Sequence, residues 1–243
     1  MPHPLRSRIL LGLAGILCLT LWLDSSSAGR FRHGRRGLRD RANRVAPVIQ
    51  TDRKAPHPRA KSLLRNWRVA EAGMFDQHGT VTAANGMIVM PEGNPATGIA
   101  YKPPVPRIDY EVKLEAKRTA GNDFFCGLTF PINKEYCSLI LGGWGGTTVG
   151  LSNIDSQSAN ENESTTFIDF ERDRWYRIRL RVTTARIDVW IDGDLVIGLK
   201  TDNHTFDIWW EQDPIRPLGI ATWNTAAAVR KFEIIHGPDF QKN

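Results

Sequence analysis

Cysteine is scarce in this chain, with three residues in 243, and histidine is little commoner, with six. Cys18 falls in an apolar leader, which leaves Cys126 and Cys137 for the rest of the protein. Two thiols cannot build a cysteine-rich metal site. His78, His204 and His236 lie too far apart in sequence to form a local ligand pair. Long helical patterning is also missing. No stretch beyond the leader and the basic region that follows it repeats apolar residues at helical spacing over ten positions, which argues against an α/β architecture. The longest apolar run, residues 9–23, has 15 residues. A helix needs roughly 20 to cross a bilayer, so this run argues against a membrane-spanning helix. No complete catalytic or metal-binding motif stands out.

Charge is present but unevenly placed. Residues 1–28 carry Arg6 and Arg8, then the apolar run, then the small residues Ser26-Ser27-Ala28. This is the three-part plan of a secretory signal peptide, and it predicts a secreted or periplasmic protein with no transmembrane segment in the mature chain. Cys18 is a poor lipidation site, because Gly15-Ile16-Leu17 precedes it. Residues 29–68 hold thirteen Lys or Arg against two Asp, broken by Gly and Pro. So much like charge with so little apolar material predicts a disordered linker over 29–66 that could touch an anionic surface. Export makes nucleic acid an unexpected partner. Residues 69–243 carry 17 basic and 23 acidic residues, so the basicity of the whole chain says nothing about the folded part. Residues 67–243 are long enough for one hydrophobic core.

That part alternates apolar and polar residues. Trp175 to Leu199 reads as strand, turn at Thr183-Thr184, strand, and a tight turn at Asp192-Gly193. Asn85-Gly86 is a second hairpin signal. Tyr110 to Ala116, Phe124 to Phe130, Tyr136 to Leu141 and Val229 to Ile235 alternate likewise. Period-two patterning with frequent turns predicts an all-β sandwich of two antiparallel sheets. The last strand would pair near the first and so seal the edges. A two-residue hairpin at Asn133-Lys134 would set Cys126 opposite Leu141 and Cys137 opposite Phe130. The thiols would then be diagonal and too far apart to bond. Another register would change this, so a disulfide stays open.

The segments Arg174 to Leu180, Ile187 to Asp194, Leu218 to Ile220 and Val229 to Ile234 resemble a concanavalin-like jelly roll. They resemble the lectin and glucanase superfamily of that fold and are most similar to the family named for 3-keto-disaccharide hydrolases. Laminin-G-like domains are similar too. The resemblance covers roughly residues 67 to 237 and implies a carbohydrate partner. The glucanase branch is resembled least. Its acidic strand motif finds only Asp109, Glu111 and Glu115 here, with Lys113 in the middle position, and this face reads as the wet side of a half-buried strand. The keto-sugar members often carry Gly-Asn-Ser-Gly before a strand, of which Gly121-Asn122 remains, followed by Asp123-Phe124.

The candidate site residues follow from chemistry. Flat indole rings pack on the apolar face of a sugar while polar groups bind its hydroxyls. Trp144, framed by Gly142-Gly143 and Gly145-Gly146, leads this set, with Trp209 and Trp223 beside it. Asn122, Asp123, Asn153, Asn224 and Glu211 would bind hydroxyls. The first expectation is therefore an exported carbohydrate-binding domain. The alternative is a glycoside hydrolase acting on 3-keto-disaccharides, with Asp123 and Glu211 as bases and His204 third. A surface protein-interaction module is the third class. No cofactor is expected. Calcium stays open, because Asp192, Asp194 and Asp202, or Asp155 and Glu161, could supply oxygens, though neither group has a diagnostic spacing.

Overall fold

The computed structural model describes residues 63–237 and 240. The expected signal peptide over 1–28, with Cys18, and nearly all of the expected linker over 29–66 lie outside the described residues. Fourteen strands follow one another: β1 (Trp67–Val69), β2 (Thr82–Ala84), β3 (Met87–Met90), β4 (Ala96–Tyr101), β5 (Tyr110–Gly121), β6 (Cys126–Ile132), β7 (Glu135–Gly143), β8 (Thr148–Ser152), β9 (Thr166–Phe167), β10 (Tyr176–Val182), β11 (Arg186–Ile191), β12 (Asp194–Lys200), β13 (Gly219–Trp223) and β14 (Thr225–His236). They form two seven-stranded sheets, ordered β1-β4-β13-β6-β7-β8-β9 and β12-β11-β10-β5-β14-β3-β2. Every pairing is antiparallel. This is the all-β sandwich of two antiparallel sheets that the alternation predicts, consistent with the concanavalin-like jelly roll that the resemblance implies. Among the described residues the helical elements include the short 3₁₀ turns Leu64–Asn66, Gly73–Phe75 and Trp210–Ile215, and no helix is long and apolar enough to cross a membrane.

The core lies between the sheets and is made by alternate residues. Tyr110, Val112, Leu114 and Ala116 of β5 face Leu128, Phe130, Leu139 and Leu151 of the other sheet's strands, all within 2% of full burial. Each such aliphatic side chain contributes about 1.5–3 kcal/mol by leaving water. The turns hold where expected. Asn85 and Gly86 have φ of 51° and 78°, and Asp192 and Gly193 have 54° and 106°. These are the left-handed values that two-residue hairpin turns require. The β6–β7 hairpin pairs Cys126 with Leu141 and Phe130 with Cys137. Both thiols are free and fully buried. Burial pushes the Cys126 thiol up to about 12, and Cys137 is raised for the same reason.

Two expectations need correction, and one open reading is decided. The last strand does not sit beside the first. β14 runs through the middle of the second sheet, between β5 and β3, and β1 belongs to the first sheet. Ala227 and Val229 bury one side of β14, and a register shift between Arg230 and Glu233 turns its charged residues outward. The stretch from Phe206 to Trp210, readable from its pattern as a strand or a loop edge, is a loop edge. Phe206 makes one isolated bridge to Ile154, and Trp210–Ile215 is a 3₁₀ turn closed by Pro214. Finally, Glu111 is not wet. Its side chain is 1% exposed, beneath Lys113, Arg179 and Arg181, because long cationic stems from β5 and β10 lie across it.

The outer face of the first sheet is built from small residues: Gly98 and Ala100 on β4, Ala221 on β13, Thr129 on β6, Ser138 on β7 and Gly150 on β8. Coverings can therefore lie close. The 3₁₀ turn Gly73–Phe75 sets the Phe75 ring where a Cβ on Gly98 would be 2.4 Å away, and the loop over 153–165 sets the Ala159 carbonyl 2.4 Å from a Cβ on Gly150. Main chain cannot yield as a side chain can. Gly150→Ala is therefore expected to destabilise the domain by about 1–3 kcal/mol through overpacking. An unchanged denaturant midpoint would disprove this contact.

Candidate functional site

The coverings leave one side of that small-residue face open. A cavity of about 390 Å³ lies there, and its walls include Asp123, Trp144, Trp209, Glu211 and Trp223. Five of the eight residues singled out in the sequence thus come together from four separate segments. Trp144 sits at the tip of the β7–β8 connection with φ of 47°, flanked by Gly142, Gly145 and Gly146, all with positive φ. The tip is 45% exposed at Trp144. It is held from below by Arg118, whose Nη2 donates to the Gly146 carbonyl at 2.8 Å and to the Gly142 carbonyl at 3.3 Å. Burial lowers the Arg118 guanidinium from its usual value, and the Asp123 carboxylate opposes that loss. Arg118 continues the inward alternation of Tyr110, Val112, Leu114 and Ala116, so a charge on the core side of β5 was the signal that could have found it.

Trp209 is 46% exposed and enters the cavity as the residue before the 3₁₀ turn. Glu211 follows within that turn, and its Oε2 is buried without a hydrogen-bond partner among the described residues. Asp123 precedes β6. Its main-chain N–H donates to Thr225 Oγ1 at 2.9 Å, and its Oδ1 accepts from the Phe124 N–H at 2.7 Å. Trp223 ends β13 and packs near Phe124, with ring centroids 6.3 Å apart. Met74, Ile140, Ser152 and Gln212 complete the lining that matters here. None of these four carried a sequence signal, since their approach depends on how the coverings fold back.

The remaining candidates do not line the cavity. Asn122 is exposed beside it. Asn153 is spent on its own surroundings: its Oδ1 accepts from Ser152 Oγ at 2.8 Å, and its main chain pairs with Asp207. Asn224 makes the turn between β13 and β14 with φ of 43° and donates its N–H to the Pro95 carbonyl at 2.7 Å. His204 is held elsewhere, with Nδ1 2.6 Å from Asp155 Oδ2 and Nε2 3.0 Å from Glu163 Oε1. The Thr205 main-chain N–H and His204 hold the Asp155 carboxyl below the usual range. Asp192 is likewise engaged, with Arg174 Nη2 at 3.0 Å and the Arg177 N–H at 2.9 Å. Among the described residues no group of three or more His, Cys, Asp or Glu is arranged to hold a metal ion.

Chemically, the cavity offers flat apolar surfaces, two carboxylates that can accept hydrogen bonds or protons, and a polar floor. The fold is similar to the carbohydrate binding module CBM66 from Bacillus subtilis, with 10% identity over 70% of this chain and 94% of that one and a TM-score of 0.45. It is also similar to domain 4 of an extracellular arabinanase from Geobacillus stearothermophilus, solved with arabinotriose, with 15% identity over 70% of this chain and 82% of that one and a TM-score of 0.47. No curated relative matches the chain in sequence. Residues 60–235 match the 3-keto-alpha-glucoside-1,2-lyase-like domain. That match runs from before β1 to the penultimate residue of β14 and takes in all five candidates that share the cavity, so the chain belongs to the 3-keto-alpha-glucoside-1,2-lyase-like domain family.

Proposed function

We propose that this domain binds a sugar in the cavity on the outer face of the first sheet. The observation that carries the reading is the convergence of Trp144, Trp209 and Trp223 with Asp123 and Glu211 on one cavity of about 390 Å³. Indole faces stack on the apolar side of a pyranose, and carboxylates take its hydroxyl protons. A protein-interaction module would favour tryptophans on a flat convex surface, whereas these three line a concavity. Binding of residues 63–243 to a glycan panel tests the proposal. Trp144→Ala is expected to weaken the best ligand by about two- to tenfold, equivalent to the roughly 0.5–1.5 kcal/mol of a stacked aromatic. Because Trp144 is 45% exposed, the melting temperature should hardly move. Absence of binding to every glycan would remove the reading.

A second reading, cleavage of a 3-keto glucoside, is favoured by the buried and unpartnered Oε2 of Glu211 in the same cavity. A keto group at C3 acidifies the proton on C2. A carboxylate can take that proton while the electron pair moves onto the keto oxygen as an enolate. The enolate then re-forms the carbonyl, makes the C1–C2 double bond and expels the C1 oxygen substituent, which leaves as an alcohol once protonated. Family membership supports this chemistry, and Glu211 is the base best placed for it, with Asp123 second.

We also place the domain outside the cytoplasm, delivered by the leader over 1–28, with the basic residues of 29–66 tethering it to an anionic surface. The three-part leader and the excess of Lys and Arg support this. Recovery of the chain with residues 1–28 intact in the cytoplasmic fraction would overturn it.

A further inference from the structure

Gln212 stands in the 3₁₀ turn over the floor of the cavity, 3% exposed, with its side chain reaching two neighbouring strands of the first sheet. Its Oε1 accepts a short hydrogen bond from Ser138 Oγ on β7 and lies 3.3 Å from Thr129 Oγ1 on β6. Ser138 Oγ and Thr129 Oγ1 are themselves 2.8 Å apart. Each hydroxyl has a single proton to give. The arrangement that satisfies all three is a relay, in which Thr129 donates to Ser138 and Ser138 donates to the Gln212 carbonyl. This engages the acceptor end of the amide and fixes which way it points. The donor end, Nε2, has no hydrogen-bond partner among the described residues, and it is not among the buried atoms left unpaired. A buried amide with one end tied down and the other open to a cavity is a pre-oriented donor.

We infer that Gln212 is a ligand-binding residue of this cavity, whose Nε2–H donates to an acceptor oxygen carried by the bound ring. The inference rests on the sugar reading above and adds what that reading lacks. Asp123 and Glu211 are acceptors and suit the protons of hydroxyl groups, but a keto oxygen, which has no proton, finds no partner in a carboxylate. Gln212 supplies that partner. If proton removal builds charge on a keto oxygen, a fixed N–H aimed there strengthens as the charge develops and needs no reorganisation. Thr129 and Ser138 are positioning residues, because they act through the amide.

Two measurements on the folded chain test this. In the first, the Gln212 side-chain NH₂ resonance is identified by its loss in Gln212→Glu, and its exchange with solvent is followed. Fast exchange is expected, and strong protection, as from a flipped amide donating to Ser138, would overturn the assignment without reference to any sugar. In the second, methyl 3-keto-α-glucoside and methyl α-glucoside are titrated onto wild type, Gln212→Glu and Gln212→Met. Glu keeps an oxygen for Ser138 and Met keeps the shape, but both lose the N–H pair. Each variant is expected to bind the keto sugar about tenfold or more weakly, the usual cost of losing a donor in a site built around it. The plain glucoside should lose less. Wild-type binding that both variants retain would overturn the role of Gln212 alone. No wild-type binding to either sugar would overturn the sugar reading, and this inference with it.

Discussion

Glu211→Gln is expected to slow release of the alcohol from a 3-keto-α-glucoside by about 10²–10⁴-fold, the usual contribution of a positioned general base. The substitution keeps the shape and removes the proton acceptor. The melting temperature should stay near that of the wild type, because Glu211 Oε2 makes no hydrogen bond that the fold would miss. The comparison with Asp123→Asn ranks the two candidates. Asp123 already spends Oδ1 on the Phe124 N–H at 2.7 Å, at the entry to β6. An amide there keeps an acceptor for that bond, so Asp123→Asn should reduce turnover less than Glu211→Gln. Turnover is followed by alcohol release under saturating sugar. Rates that survive both substitutions would exclude both carboxylates as bases. A wild type that binds the keto sugar and never cleaves it would leave a lectin-like domain.

Most of the scaffold could be read from period-two alternation, because a two-residue repeat buries one face whatever the neighbouring strand turns out to be. The Asn133-Lys134 hairpin shows how far such local geometry reaches. A two-residue turn there implies Cys126 opposite Leu141 with the thiols apart, and the structure takes that register rather than the other that stayed open. Long-range order was harder. β14 carries Arg230-Lys231-Phe232-Glu233, where a register shift turns the charged residues outward and Phe232 onto Trp67 and Tyr101, while the strand stays central. The site shows the same division. Trp144 was legible from its glycine frame, which only a sharp irregular turn uses, and Asp123, Trp209, Glu211 and Trp223 from their chemistry. Gln212 was not, because a strand through Trp209-Trp210-Glu211 would have sent alternate side chains to opposite faces. The 3₁₀ turn instead lays Gln212 on the floor. Asn153 and Asn224 had suitable chemistry, but the Asn153 Oδ1 is taken by Ser152 and Asn224 is set in the β13–β14 turn away from the cavity lining, neither of which spacing reveals.

Removing the Glu111 carboxylate should cost more stability than any other change on the outer face of the second sheet. Its Oε2 is 2.8 Å from Arg179 Nε and 3.1 Å from Arg181 Nε, and its Oε1 is 3.1 Å from Lys113 Nζ. The carboxylate is 1% exposed, while the three cations are 22–36% exposed. Glu111→Ala leaves three like charges facing one another over an empty space. A broken buried pair costs roughly 3–5 kcal/mol, and partial solvation of the cations places this loss near the lower bound, about 3 kcal/mol at pH 7. The pH dependence follows from the same contacts. Burial alone would raise the Glu111 carboxyl, but the cations paired with it, Arg179 and Lys113, outweigh it, and the folded value is lowered. The stabilisation is therefore complete above the unfolded carboxyl value, about 4.3, and is lost as pH falls through the lower folded value. Glu115, lowered similarly between Arg230 and Lys231, adds to the same acid limb. Glu111→Gln cannot ionise and removes one of the two contributions. The gap between wild type and Glu111→Gln, measured by urea unfolding, should be widest above pH 5 and narrow as the solution is taken below pH 4. Parallel stability curves from pH 7 to pH 3 would mean that the ion cluster does not hold this face together. The stabilisation would then lie in the aliphatic stems of the cations, which pack on the sheet whether or not the carboxylate is charged.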